Sequence, residues 1–115
     1  MTPELQALAR RAVACPRWRW MPGMAFFWCD DLHRVADREP GTLRTDGSLL
    51  PDLTDPATLG CLVALVREAW ADRIVISLGN CWFEIETDCN HWDQDNTTSY
   101  AHALVAALET GGGGA

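Results

Sequence analysis

Between Asp55 and Trp70 the chain carries a pattern that admits one local structure. Asp55 is a strong helix N-cap, Pro56 suits the first helical position, and Leu59, Leu62, Val63, Val66 and Trp70 recur with the 3.6-residue period of an amphipathic helix. Cys61 and Leu65 widen the apolar sector, which predicts a deeply packed helix. Gly60 costs such a helix roughly 1 kcal/mol relative to alanine, and close packing at that point is the expected reason for it. A helix of this kind in the middle of a 115-residue chain needs cover from both flanks.

The flanks supply it. Residues 3–14 read as a first helix, with Thr2 as cap, Pro3 in the first turn, and Leu5, Leu8, Ala9, Ala12 and Val13 on one stripe; Pro16 stops it. A last helix is predicted over 99–109, capped by Thr97 or Thr98, with Tyr100, Ala101, Leu104, Val105 and Leu108 facing the core. Met24–Cys29 reads as a strand apolar on both faces and therefore covered on both. Pro40-Gly41 marks a turn, after which Thr42–Thr45 is expected as a short partner strand ending at Asp46-Gly47. Gly79-Asn80 suits a two-residue hairpin turn, which would pair Leu78 with Cys81, Ile76 with Phe83 and Ile74 with Ile85. The opposite face of that hairpin would pair Ser77 with Trp82, Val75 with Glu84 and Arg73 with Glu86. The expected architecture is α+β, a single domain over 1–110 ordered helix-strand-strand-helix-strand-strand-helix. A mainly antiparallel four-stranded sheet would carry helices on both faces, and 111–115 would form a flexible Gly-rich tail.

Charge narrows the function classes. The net charge of −7 argues against general affinity for nucleic acid or for an anionic membrane. All nine basic residues are arginine, and none lies beyond Ser77, where Glu84, Glu86, Asp88, Asp93, Asp95 and Glu109 accumulate. An electrically polar molecule follows, which favours a homo-oligomer, probed most directly at the mixed hairpin face bearing Val75 and Trp82. No apolar run approaches the roughly 18 residues of a membrane span and no leader precedes the first helix, so a cytoplasmic protein is expected. The five cysteines have no regular spacing and read as free thiols.

No catalytic motif is present, and the chain is expected to be non-enzymatic and without a cofactor. Cys29, His33, Cys81, Cys89 and His91 are zinc-ligating types, but the C-x-x-C spacing is missing, and Cys29 and Cys81 fall where strands want small buried residues. Asp93–Thr97 lacks the sixth-position glycine and twelfth-position glutamate of a calcium loop. Cys89, His91 and Asp93 alternate as a nucleophile, base and acid would on an extended segment, yet an acidic surrounding disfavours a thiolate. The segment Arg17-Trp18-Arg19-Trp20, held between Pro16 and Pro22, is the candidate site. Its rings could stack on, and its guanidinium groups could grip, a small anionic nucleotide-like ligand. The alternation places rings and cations on opposite sides of an extended segment, so the same residues could instead plug one end of a core.

The run Leu50-Pro51-Asp52-Leu53-Thr54-Asp55-Pro56-Ala57-Thr58-Leu59-Gly60, together with Trp18-Arg19-Trp20-Met21-Pro22-Gly23-Met24, resembles blocks of a family of small phage and prophage proteins. More loosely, the helix, the Trp-bearing strand and the alanine-rich last helix resemble the phage ABA sandwich domain, in which a sheet lies between helical layers. The resemblance implies a phage accessory protein, one class of which counters host defence by sequestering a nucleotide-derived signal. It leaves open an acidic protein-binding inhibitor of a host defence complex, anti-CRISPR-like in kind, and a structural or assembly accessory without a ligand. It carries no catalytic residues onto this chain.

Overall fold

The computed structural model describes residues 2–36 and 43–111. Three helices, α1 (Pro3–Ala14), α2 (Pro56–Ala69) and α3 (Tyr100–Thr110), combine with six short strands: β1 (Ala25–Trp28), β2 (Asp31–Arg34), β3 (Leu50–Pro51), β4 (Val75–Leu78), β5 (Phe83–Glu86) and β6 (His91–Asp93). The α+β class stands, but the expected four-stranded sheet does not. The strands form two separate antiparallel three-stranded sheets, ordered β2-β1-β3 and β4-β5-β6.

Each sheet gains a strand from residues whose polarity disguised it. β2 is Asp-Leu-His-Arg, exposed along its whole length, and β6 is His-Trp-Asp within what reads as a polar loop. The first sheet cannot extend through β3, which is two residues long and ends on Pro51, a residue without an N–H to continue a ladder. Leu43–Thr45 is irregular rather than a strand; Pro40-Gly41 and Thr42 lie outside the described residues.

The helices bind the sheets into one core. Leu8, Met24, Leu62, Leu65, Ile85, Leu104 and Leu108 are its largest fully buried side chains, drawn from all three helices, from β5 and from the residue just before β1. In α2 the buried face is Thr58, Leu62, Leu65, Val66 and Ala69, while Leu59, Val63 and Trp70 are half-buried. That rotation leaves Gly60 exposed, with open space where a Cβ would stand, so close packing is not why glycine occupies the position. At the far end Gly111 is buried instead of opening a tail: a Cβ there would lie 2.8 Å from Ala69 Cβ and 2.9 Å from Trp70 Nε1. Residues 112–115 lie outside the description.

The second hairpin is displaced by two residues from its expected register. Leu78 pairs with Phe83 and Ile76 with Ile85, and the four residues Gly79–Trp82 form the loop, closed by Gly79 N–H donating to Trp82 O at 2.8 Å. The indole of Trp82 lies over Gly79, where a Cβ would sit 2.1 Å from Nε1, so the tryptophan belongs to the loop and not to the ladder. A shift of two preserves which side chains share a face. Ile76, Ile85 and the cross-strand Trp92 therefore line the side packed on the core, with Phe83 against Tyr100 at 5.5 Å. Ser77, Glu84, Glu86, His91 and Asp93 occupy the other side, which no helix among the described residues covers; helices on both faces is thus not the arrangement of this sheet. Among the described residues no helix is long and apolar enough to cross a membrane.

Candidate functional site

The alternation in Arg17-Trp18-Arg19-Trp20 sorts its side chains to opposite environments. Both indoles are buried, Trp20 to 2% exposure, and they meet edge to face at 5.3 Å. Arg17 and Arg19 are exposed, and Arg19 Nη1 binds Glu68 Oε1 on α2 at 2.7 Å. The pairing raises the Arg19 guanidinium and lowers the Glu68 carboxyl relative to their ordinary values. The four residues therefore do not converge on a shared cavity.

They lead to one. Trp20 packs at 5.6 Å on Phe26 of β1, and Phe26 stacks at 5.3 Å, planes 21° apart, on its cross-strand partner His33 of β2. His33 lies 6.1 Å from Trp28, which is 54% exposed. An unbroken aromatic series thus runs from the core to the surface on one face of the β1–β2 hairpin. Strand alternation is the reason: Phe26 and Trp28 are two apart on β1, and His33 faces them from β2. Across from this face the segment 43–49 closes a cleft of about 350 Å³, with Leu43 and Leu49 as apolar lining and Arg44 and Ser48 as polar groups. Trp20 fixes that segment too, its Nε1–H donating to the Arg44 carbonyl at 2.9 Å. Trp18 Nε1, by contrast, is buried without a hydrogen-bond partner among the described residues.

The hairpin is held in place from its opposite edge. Ala25 N–H donates at 2.8 Å to Thr58 Oγ1, whose own hydroxyl donates at 2.9 Å to Asp55 Oδ2, the N-cap of α2. Arg34 closes the clasp with two bonds of 3.0 Å to the Asp55 carboxylate and one of 2.6 Å to Gly23 O. The Arg34 guanidinium, aided by the Thr58 amide and hydroxyl, holds the Asp55 carboxyl down to about 2. The tip of the hairpin is the two-residue turn Cys29-Asp30, with both residues left-handed at φ 52° and 67°.

The remaining candidates separate. Cys29, Cys81 and Cys89 are all exposed, Cys29 and Cys81 in turns rather than on strands, and these thiols do not form a ligand cluster among the described residues. His91 and Asp93 share the outer face of β6, whereas Cys89 lies in the preceding loop. A groove of about 460 Å³ runs past Arg73, Val75, Glu86 and Asp88 but has no aromatic wall. Trp28, His33, Arg44 and Ser48 escape sequence reasoning because the cleft joins a hairpin to a segment ten or more residues away. The one local signal is that Phe26, Trp28 and His33 fall on a single face once a tight turn is placed at 29–30. Comparison with family models, with curated proteins and with solved structures finds no match to this chain.

Proposed function

We propose that the protein is a non-enzymatic binder of a small anionic ligand carrying a planar ring, a nucleotide-like molecule, and that the cleft between the β1–β2 hairpin and residues 43–49 is where it binds. The observation that carries this reading is the stacked Phe26–His33 pair with Trp28 beside it, facing Arg44 across about 350 Å³. That volume falls in the range of small-molecule sites and suits one ring with one anionic group. The ring stacks on His33 and Trp28, the Arg44 guanidinium takes the anion, and the Ser48 hydroxyl supplies a further hydrogen bond. Trp18 and Trp20 act from behind, as the buried support of Phe26 and of the Arg44 main chain. The sequestering role in counter-defence, and with it a phage origin, rests on the sequence resemblance.

Isothermal titration with a panel of nucleoside monophosphates, cyclic nucleotides and ADP-ribose-type compounds tests the proposal. Binding that is lost in Trp28→Ala and Arg44→Ala, and retained in Arg17→Ala, supports it. Binding that depends on Arg17 and ignores Trp28 places the site elsewhere, and no binding across the panel ends the reading.

A second reading has its own observation. The uncovered outer face of the second sheet presents Glu84, Glu86 and Asp93, a surface suited to the basic groove of a host defence protein. Self-association belongs to the neighbouring edge strand β4 and the loop after it, where Val75 and Leu78 of the strand are 61% and 62% exposed and Trp82 of the loop is 48% exposed. Sedimentation that gives a dimer for the native chain and a monomer for Val75→Glu/Leu78→Glu supports that edge as the contact; monomer throughout rejects it.

A further inference from the structure

We infer that the outer face of the second sheet is a binding site for a divalent transition ion of the zinc type, ligated by His91, Glu84 and Glu86 and oriented by Asp93. The register puts these side chains in one block on one face: Glu84 opposite Asp93 and Glu86 opposite His91, with each pair two residues along from the other. Acidic patches on exposed sheets are common and by themselves bind nothing in particular. What distinguishes this one is an imidazole set among the carboxylates with its two nitrogens facing different groups.

His91 Nε2 lies 3.7 Å from Glu84 Oε2, and Nδ1 lies 3.7 Å from Asp93 Oδ2. One donor atom each from Glu84, Glu86 and His91 come within 4.8 Å of one another. The ring nitrogens are directed as in a carboxylate–histidine–metal triad, in which one faces an acid while the other presents its lone pair to the ion; closing the 3.7 Å gap to Asp93 to hydrogen-bond distance completes it. Asp93 is held for that role. Its Oδ1 accepts the backbone N–H groups of Asp95 and Asn96, both at 3.0 Å, while its Oδ2 is the atom facing the ring.

A tetrahedral zinc with Zn–N and Zn–O bonds of roughly 2.0–2.2 Å needs its ligand atoms about 3.4 Å apart. Exposed side chains on a fixed sheet reach that by torsional adjustment, without moving the backbone. A nitrogen donor with carboxylates selects zinc and its neighbours over magnesium or calcium, which take oxygen alone. The charge balance points the same way. From Ser77 onward the chain has no Lys or Arg, and the Arg–carboxylate pairs among the described residues engage Glu109, Glu68 and Asp55, all away from this face. Among the described residues Arg73, which lines a groove with Glu86, is the one guanidinium near this face, so a divalent cation would add the larger part of the charge facing Glu84, Glu86 and Asp93.

The test is zinc titration by calorimetry of the full chain carrying Cys29→Ser, Cys81→Ser and Cys89→Ser, which removes the exposed thiols as competing ligands. One zinc per chain is expected. His91→Ala and the double variant Glu84→Gln/Glu86→Gln weaken binding by more than tenfold, and Asp93→Asn weakens it by about tenfold, the usual effect of losing an orienting carboxylate. His102→Ala leaves it unchanged. Urea midpoints confirm that each variant is folded, and because all these side chains lie outside the core the Glu→Gln pair decides the matter if His91→Ala does not fold. Absence of saturable zinc binding overturns the inference, as does equal affinity of the parent, His91→Ala and Glu84→Gln/Glu86→Gln.

Discussion

Replacing Thr58 with valine isolates a single hydroxyl at the centre of the clasp between α2 and the β1–β2 hairpin. Thr58 is fully buried, and valine has its shape, so the exchange opens no cavity. What it removes is the acceptor for Ala25 N–H and a donor to Asp55 Oδ2. Asp55 keeps Arg34 and the Thr58 amide, so its loss is small. Ala25 N–H has no other partner among the described residues, and a buried donor left without a partner costs about 1–3 kcal/mol. We therefore expect Thr58→Val to lower stability by about 2 kcal/mol. Thr58→Ser keeps the hydroxyl and loses one methyl, at about 1 kcal/mol. Urea denaturation followed by far-UV circular dichroism reads both, with slopes unchanged because the surface exposed on unfolding is the same. A Thr58→Val effect within the ~0.5 kcal/mol typical of surface exchanges, or a serine variant as unstable as the valine one, refutes the reasoning.

Three further outcomes follow from the same contacts. Gly60→Ala should raise stability by about 1 kcal/mol, because the position is exposed and helical and its Cβ meets nothing; a lower melting temperature would mean the glycine is needed after all. Cys29→Asn with Asp30→Gly should add about 1 kcal/mol by relieving two left-handed non-glycine residues, read as a higher urea midpoint. Asp55 titrates well below its ordinary value of 3.8, so its contribution is fully present above pH 4 and is lost as the pH falls toward 2. Arg34 is half-exposed, so solvent screening keeps that contribution small. Glu68 and Asp46 titrate in the same sense, so the comparison that isolates Asp55 is the native chain against Asp55→Asn, whose stability should fall less between pH 5 and pH 2.

The helices were legible in the sequence because each is bounded by its own chemistry. Thr2-Pro3 and Asp55-Pro56 start α1 and α2 in both the sequence pattern and the structure, while Ser99 caps α3 in place of the expected Thr97 or Thr98. The strands were legible only where they are apolar. β2 is exposed on both sides and β6 has a single apolar residue, Trp92, so neither shows the alternation that betrays a half-buried strand. The turn at Cys29-Asp30 was hidden for a related reason: its backbone wants Asn-Gly, and the chain holds a cysteine and an aspartate in the left-handed region instead. In the candidate site the separation of rings from arginines in residues 17–20 could be read from alternation alone. The cleft could not, since the residue that links the two regions is Trp20, through a hydrogen bond to the Arg44 main chain that no local pattern encodes.

Mechanically, the β1–β2 hairpin is a cantilever. Its base is clamped at Ala25 and Arg34 by Thr58, Asp55 and the Gly23 carbonyl, β3 supports β1 as far as Phe27, and only the end from Trp28 through the Cys29-Asp30 turn projects beyond that support. Displacement in such a beam grows with distance from the clamp. Phe26 and His33 sit one pair from the base, with Phe26 also paired to Pro51, whereas Trp28 sits beside the turn, past the last β3 pair. The cleft accordingly has a stiff back wall and a compliant rim. In the binding role proposed above, rings of different size would meet Trp28 at that rim, while the Arg44 main chain stays tied through Trp20 to the core.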